Sequence, residues 1–170
     1  NRAFRGKTRR NKTMIKVLFI CHGNICRSPM AEFIFKKMVS NAGISDKFYI
    51  ASAAVSNEEH GNPVYPPCRK LLNEHGIDCS EKRAVQIKKS DYDKYDYIIA
   101  MEAYNLIGLK RIIGDDTENK VHLLLDYTEN PGDIDDPWYS GEYVTAYNDI
   151  ERGLKGFLNY IYSKDKDIRK

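Results

Sequence analysis

No apolar run in this chain approaches the ~18–20 residues that a membrane-spanning helix needs. The first residues hold no short apolar core ahead of a small-residue cleavage site, so a secretory signal is not expected and the chain reads as cytoplasmic. Cysteine is scarce. Cys21, Cys26, Cys68 and Cys79 do not make a disulfide scaffold in 170 residues, and reduced thiols are the expectation in a cytoplasm. A basic excess is missing from the body of the chain, although the formal net charge is +3. Residues 1–12 carry six of the 27 Lys and Arg and no acid. Setting them aside leaves 21 basic against 24 acidic residues, a net charge of −3. The basic charge therefore belongs to a tail, and neither a nucleic-acid nor a membrane partner is expected.

What is present is one domain's worth of chain, 42% apolar, long enough to bury a sizeable core. Residues 1–13 show no apolar periodicity and read as a disordered basic tail, so 14–170 are the expected single domain. Residues 14–20 (MIKVLFI) are rich in β-branched and aromatic side chains and predict a buried strand. Residues 29–40 follow as a helix, with Pro29 suited to a first turn. The alternation continues with strands over 47–51, 95–101 and 120–125. Helices are expected over 66–75, 102–113 and 142–162, with Gly76 as a C-cap. The last helix places Val144, Tyr147, Ile150, Leu154, Phe157, Leu158 and Ile161 on one face. Between it and the fourth strand, residues 126–141 form an acidic, proline-bearing loop. Strands alternating with helices imply an α/β fold, a parallel sheet covered on both sides. Ligands of such sheets sit beyond the carboxyl ends of the strands.

The loop after the first strand lies at that edge. It reads Cys21-His22-Gly23-Asn24-Ile25-Cys26-Arg27-Ser28, and Pro29 follows at once. Successive amides of a loop that runs into a helix cradle a tetrahedral oxyanion. Gly23 and Asn24 are residue types that tolerate the left-handed backbone such a turn needs. Arg27 adds a planar fork for two phosphate oxygens. The same dipoles favour the thiolate of Cys21, making it a candidate nucleophile. No Gly-Lys-Ser/Thr follows the loop, which disfavours nucleotide binding of the Walker type. Cys21, His22 and Cys26 do not match structural-zinc spacings, so no metal and no cofactor are expected. Phosphoryl transfer from an aryl ester also needs a proton for the departing phenolate. Asp135 and Asp136 both stand in the acidic loop, and the residues alone do not choose between them.

The segment VLFICHGNICRSPMAE (residues 17–32) resembles the signature of the low-molecular-weight protein tyrosine phosphatases. The similarity continues through Ala51-Ser52-Ala53, His75-Gly76-Ile77, Arg83-Ala84, the run 96–101 and Asp136-Pro137-Trp138-Tyr139, in order, to about Ile161. It implies a three-layer sandwich with a four-stranded parallel sheet of order 2-1-3-4, flanked by helices, with the phosphate-binding loop after strand 1. It also implies a metal-free phosphotyrosine phosphohydrolase working through a cysteinyl-phosphate. The family register makes Cys21 the nucleophile, Arg27 the oxyanion fork and Asp136 the general acid and base. Ser28 is expected to donate to the Cys21 sulfur. Asn24, Ser52 and His75 match the hydrogen-bond network that shapes the loop. Trp138 and Tyr139 would wall a slot for a flat phenyl ring. Cys26 matches the family's second thiol, a redox partner that caps oxidised Cys21 as a disulfide. Cys68 and Cys79 are expected to be inert. The implied partners are phosphotyrosine proteins or small aryl phosphates, acted on by a monomer.

Three positions depart from the family. His22 replaces an aliphatic residue on the loop rim, Glu58 an aromatic on the slot wall, and Glu102 an Asp after the third strand. Two other functions share the fold. A thioredoxin-coupled arsenate reductase needs two further cysteines near the end of the third strand, and residues 101–105 hold none. A non-catalytic phosphopeptide-binding module would not need Cys21, Arg27 and Asp136 together.

Overall fold

The computed structural model describes residues 14–169; the expected tail over 1–13 lies outside them. β1 (Ile15–Cys21) is the hub, with its last five residues buried. It pairs in parallel with β2 (Phe48–Ala54) on one side and β3 (Tyr97–Ala100) on the other. β3 pairs in parallel with β4 (Val121–Leu123), which makes a four-stranded sheet of order β2-β1-β3-β4. A strand covered on both faces has no polar side to show. That is why β1 reads as continuous Val, Leu, Phe and Ile rather than as an alternation.

The helices are α1 (Arg27–Asn41), α2 (Pro66–Glu74), α3 (Asp91–Lys94), α4 (Ala103–Ile113), α5 (Pro137–Ser140) and α6 (Tyr143–Lys164). One face of the sheet packs on α1 and α6 around Phe19, Phe35 and Phe157. The Phe19 and Phe35 rings meet edge to face at 5.8 Å. All three phenylalanines are fully buried, and truncating one to Ala would cost about 3–5 kcal/mol. The other face, with Leu18, Ile20 and Ile98, packs on Leu109 and Ile113 of α4.

Several expectations need correction. The strand expected over 120–125 ends at Leu123, and a three-ten turn follows over Leu124–Tyr127. Leu124 and Leu125 are both buried. The turn points both into the core. It lies so close to α6 that a Cβ on Gly156 would stand 2.1 Å from the Tyr127 carbonyl oxygen. Val144 does not belong to the buried face of α6; it is 59% exposed. The short α5 lies inside the segment that reads as loop, and the short α3 lies in a stretch for which no element was expected.

Backbone hydrogen bonds draw the loops at the carboxyl edge of the sheet together. Val55 and Ser56 donate to the Cys21 and His22 carbonyls, and Met101 donates to Ile20. Ile134, far along the chain, donates to Met101. The acidic loop is thereby brought to the end of β1, which positions the site.

Candidate active site

Cys21 ends β1 and Arg27 begins α1, so the residues between them must turn the chain within five positions. Asn24 takes the turn in the left-handed region, at φ 59°. Gly23, expected to share that role, does not; its need is for room, since a Cβ there would meet the Glu59 side chain at 3.3 Å. The turn aims the Asn24 amide at the Cys21 sulfur, 3.3 Å away. Among the described residues, the amides of His22, Gly23, Ile25, Cys26 and Arg27 make no backbone hydrogen bond. They are left for an oxyanion at the mouth of α1.

The side chain of Asn24 locks this shape. Its Nδ2 donates to Ser28 Oγ at 2.8 Å and to Ser52 Oγ at 2.9 Å, and its Oδ1 accepts from the Val85 amide at 3.1 Å. Ser28 Oγ, already an acceptor from Asn24, lies within hydrogen-bond distance of the Cys21 sulfur, at 3.0 Å. Ser52 likewise accepts from Asn24 and donates to Glu32 Oε1 at 2.6 Å. Both hydroxyls are buried, so each hydrogen bond is made in low dielectric where its loss is costly.

The expected member His75 is not in this network, and here the expectation is corrected. His75 is exposed at the end of α2, its ring stacked on Tyr147 at 4.4 Å and its Nδ1 against the Leu71 carbonyl. The position is held by Lys82 and Glu32, which sequence reasoning passed over. Lys82 donates to the Ser52 carbonyl at 3.0 Å and lies 3.7 Å from Glu32. Burial lowers the Lys82 pKa, and Glu32 opposes the shift. Lys36 pairs with the other Glu32 oxygen at 2.6 Å. Glu32 was visible in principle: it falls four residues after Ser28, on the same helix face.

Arg27 is 2% exposed. Its guanidinium donates to the Ile134 carbonyl at 2.7 Å and to Glu102 Oε1 at 3.2 Å, and lies 3.3 Å from Asp136 Oδ2. Burial opposes its charge, but the Cys21 sulfur, Glu102 and Asp136 outweigh burial and raise its pKa, so the charge is permanent. Glu102 is held in turn by a capping box with Asn105 at the start of α4. Thus the departure from Asp to Glu keeps a carboxylate on Arg27.

Asp136 caps α5 by accepting from the Trp138 amide at 3.0 Å. It lines a cavity of about 210 Å³ with Cys21, Cys26 and Arg27; Asp135 does not line it and is exposed. The cavity mouth has Trp138 and Tyr139 as expected, together with Tyr65 and Tyr143, which were not foreseen. Tyr65 packs against Trp138 at 5.1 Å and stacks on Tyr143 at 6.1 Å. His22 and Glu58 face one another across the rim at 3.8 Å, with Glu59 beside them.

The cysteines differ most from expectation. Cys26 is not poised on Cys21; it is disulfide-bonded to Cys68 of α2, with Cα atoms 5.6 Å apart. Cys68 is therefore not inert. Cys21 and Cys79 are free thiols. Among the described residues, no group of three or more His, Cys, Asp or Glu is placed to hold a metal ion, and no helix is long and apolar enough to cross a membrane.

Residues 16–167 match the family described as low molecular weight phosphotyrosine protein phosphatase. The low molecular weight protein-tyrosine-phosphatase YfkJ of Bacillus subtilis is 37% identical over 157 residues, 91% of this chain and 100% of that protein. The low molecular weight phosphotyrosine protein phosphatase of Gallus gallus is 40% identical over 147 residues, 84% of this chain and 92% of that protein. The crystal structure of Bacillus subtilis YfkJ superposes with a TM-score of 0.86 at 36% identity, covering 91% of this chain and 99% of that one.

Proposed function

Given that this chain belongs to the low molecular weight phosphotyrosine protein phosphatase family, a family of hydrolases, we propose that Cys21, Arg27 and Asp136 carry its reaction. The observation that carries this reading is the meeting of all three on one small cavity, with the Ser28 hydroxyl 3.0 Å from the sulfur. The Cys21 thiolate attacks phosphorus in line. The loop amides and the Arg27 fork hold the three equatorial oxygens, whose charge grows toward the transition state. Asp136 gives its proton to the phenolate oxygen as the P–O bond breaks. In the second step Asp136 takes a proton from water as that water attacks the cysteinyl-phosphate. The Cys21 thiolate leaves into the hydrogen bonds of Ser28 and the Asn24 amide.

The aromatic mouth supports a phosphorylated aromatic side chain or a small aryl phosphate as substrate, since flat rings pack on Trp and Tyr faces. Residues 14–170 act as a single phosphatase domain. The net acidic domain supports neither a nucleic-acid nor a membrane partner.

The test is steady-state turnover, without added metal, of a phosphotyrosine peptide and p-nitrophenyl phosphate beside a phosphoserine peptide. Aryl esters are hydrolysed, phosphoserine is not, and Cys21→Ser is inactive with an unchanged circular dichroism spectrum. Turnover by the Cys21→Ser protein, or equal rates on phosphoserine, would overturn the reading.

A further inference from the structure

β2 is an edge strand, paired with β1 on one side and open on the other except at its end. Along a strand the N–H and C=O groups of alternate residues point to the same edge. Ala54 identifies the outward set: its amide donates to the Val85 carbonyl and its carbonyl accepts from the Ile87 amide, both at 2.8 Å. The chain at Gln86 thus starts a fifth strand parallel to β2, but it makes a single bridge. Just before that bridge the Ala84 amide is turned away, to the Asn62 carbonyl at 2.9 Å. Ser52, two positions before Ala54, has its outward carbonyl closed by the Lys82 amine at 3.0 Å. Ile50 is the next outward residue. Among the described residues, its amide and carbonyl have no hydrogen-bond partner on that edge.

That edge floors a groove of about 900 Å³, separate from the catalytic cavity. One loop divides the two: Glu58 and Glu59 line the cavity, Asn57 and His60 the groove. Lys36, Lys82 and Lys88 line the groove against two carboxylates, Glu32 and Asp91. Glu32 already serves both Lys36 and Lys82, at 2.6 and 3.7 Å. Asp91 accepts from the Lys88 amide, while the Lys88 side chain is exposed and in no ion pair among the described residues. This positive excess sits on a domain whose residues 13–170 carry a net charge of −3, so it is a local field and not a mirror of composition. Beside the lysines, the short side chain of Ala51 leaves room next to the Tyr49 and Tyr95 rings, which lie 6.1 Å apart.

We propose that this edge docks an extended segment of another protein in which carboxylates alternate with small apolar side chains. The backbone of the segment bonds to Ile50 and takes the place that the chain's own fifth strand leaves empty. Pleating sends successive side chains to opposite faces, so one set reaches the lysines and the other lies over Ala51. Main-chain bonds then give affinity, and the alternate side-chain sites give selectivity. Lysines on an exposed edge discourage pairing with a like edge. A second copy of this chain would bring lysine against lysine, whereas a strand bearing carboxylates gains from the same charges. The groove contains none of Cys21, Arg27 and Asp136, so the inference stands apart from the assignment of the nucleophile.

The experiment titrates the full chain with a short fluorescein-labelled peptide of alternating Val and Glu, reading fluorescence anisotropy and the backbone amide spectrum of isotope-labelled protein. Binding saturates, the largest amide shifts fall on residues 48–53 and 85–88, and the Ile50 amide exchanges with solvent about tenfold more slowly in the complex. Replacing every Glu of the peptide by Gln weakens binding roughly tenfold or more, because charge-assisted contacts to the lysines are lost. Methylating the peptide's backbone nitrogens weakens it by a similar factor, because the strand pairing is lost. Lys88→Glu reverses the preference, toward the peptide with Lys in place of Glu. Equal binding of the Glu and Gln peptides, binding indifferent to backbone methylation, or no saturable binding would overturn the proposal. A KM for p-nitrophenyl phosphate that rises with added peptide would place the peptide in the catalytic cavity and overturn it too. So would a free protein that sediments as a dimer and loses that state on Lys88→Glu, since the edge would then belong to a second copy. The peptide arms use unmodified protein and stand if Lys88→Glu fails to fold; inactivity of the protein toward aryl phosphates would overturn the phosphatase reading and leave the binding arms untouched.

Discussion

The Ser28 hydroxyl lies 3.0 Å from the Cys21 sulfur and is at the same time the acceptor of the Asn24 side-chain amide, 2.8 Å away. Asn24 thus fixes the Ser28 hydroxyl beside the sulfur. A hydrogen bond to a charged group is worth about 1.5–3 kcal/mol, or ~10–100-fold in rate. Ser28→Ala is expected to lose that much, mainly in the step where Cys21 departs from phosphorus. Rapid mixing with p-nitrophenyl phosphate should show a burst of nitrophenolate followed by a slowed steady state. A loss confined to the burst itself would contradict this division.

Asp136 lies 3.3 Å from the Arg27 guanidinium and Asp135 is outside the cavity. Asp136→Ala should slow release of a poor leaving group by ~10²–10⁴-fold, the usual size of a general-acid contribution. The loss should shrink as the leaving phenol becomes more acidic. Asp135→Ala should stay within a factor of a few. Steady-state rates over a series of substituted phenyl phosphates decide it; a large loss from Asp135 alone would reverse the assignment.

Acid should act through Asp116, on the connection from α4 to β4. It accepts from the Tyr92 hydroxyl at 2.6 Å and from the Lys120 and Val121 amides at 2.8 and 2.9 Å. Partial burial pushes its pKa up, but these hydrogen bonds outweigh burial and the net shift is down from 3.8. A carboxylate with a depressed folded-state pKa stabilises the fold above its ordinary value, and that stability is lost as pH falls through the folded value. Asp116→Asn should therefore cost about 2 kcal/mol at pH 7, a difference that narrows below pH 3.8. Urea unfolding at both ends of that range measures it.

The two glycines of α6 should differ. A Cβ at Gly156 would meet the Tyr127 carbonyl oxygen at 2.1 Å, whereas one at Gly153 would meet the Leu124 side chain at 2.6 Å. A side chain rotates away more cheaply than a backbone moves. Gly156→Ala should destabilise by about 3 kcal/mol, the upper range for overpacking. Gly153→Ala should cost less, since the Leu124 side chain can rotate away while both variants gain the same helix propensity, up to ~1 kcal/mol. Thermal unfolding of both variants tests the order.

The parts of the site legible in the sequence are those built from near neighbours. Cys21, Asn24, Arg27 and Ser28 lie within eight consecutive positions, so a strand end, one left-handed turn and a helix start bring them into one loop. Ser52 and Asp136 needed the family register, because one joins the loop across 28 positions and the other reaches Arg27 across 109. His75 misled because a histidine before a glycine at a helix end has a second, local use, and here that use wins. The apolar run at 120–125 misled because two adjacent leucines enter the core from a turn as readily as from a strand.

The order of strands and helices and the pairing of the Cys21 thiol with the Arg27 guanidinium in one loop were written in the one-dimensional pattern, because hydrophobic periodicity and short turns act over a few residues. Which carboxylate faces the cavity, that Lys82 with Glu32 supports Ser52, that Glu102 steadies Arg27, and that Cys26 bonds Cys68 rather than Cys21 were decided only when the loops met at the carboxyl edge of the sheet. Those pairings join residues far apart in the chain. Spacing carries no record of them; only the packing of distant segments against one sheet brings such groups to within a bond's reach.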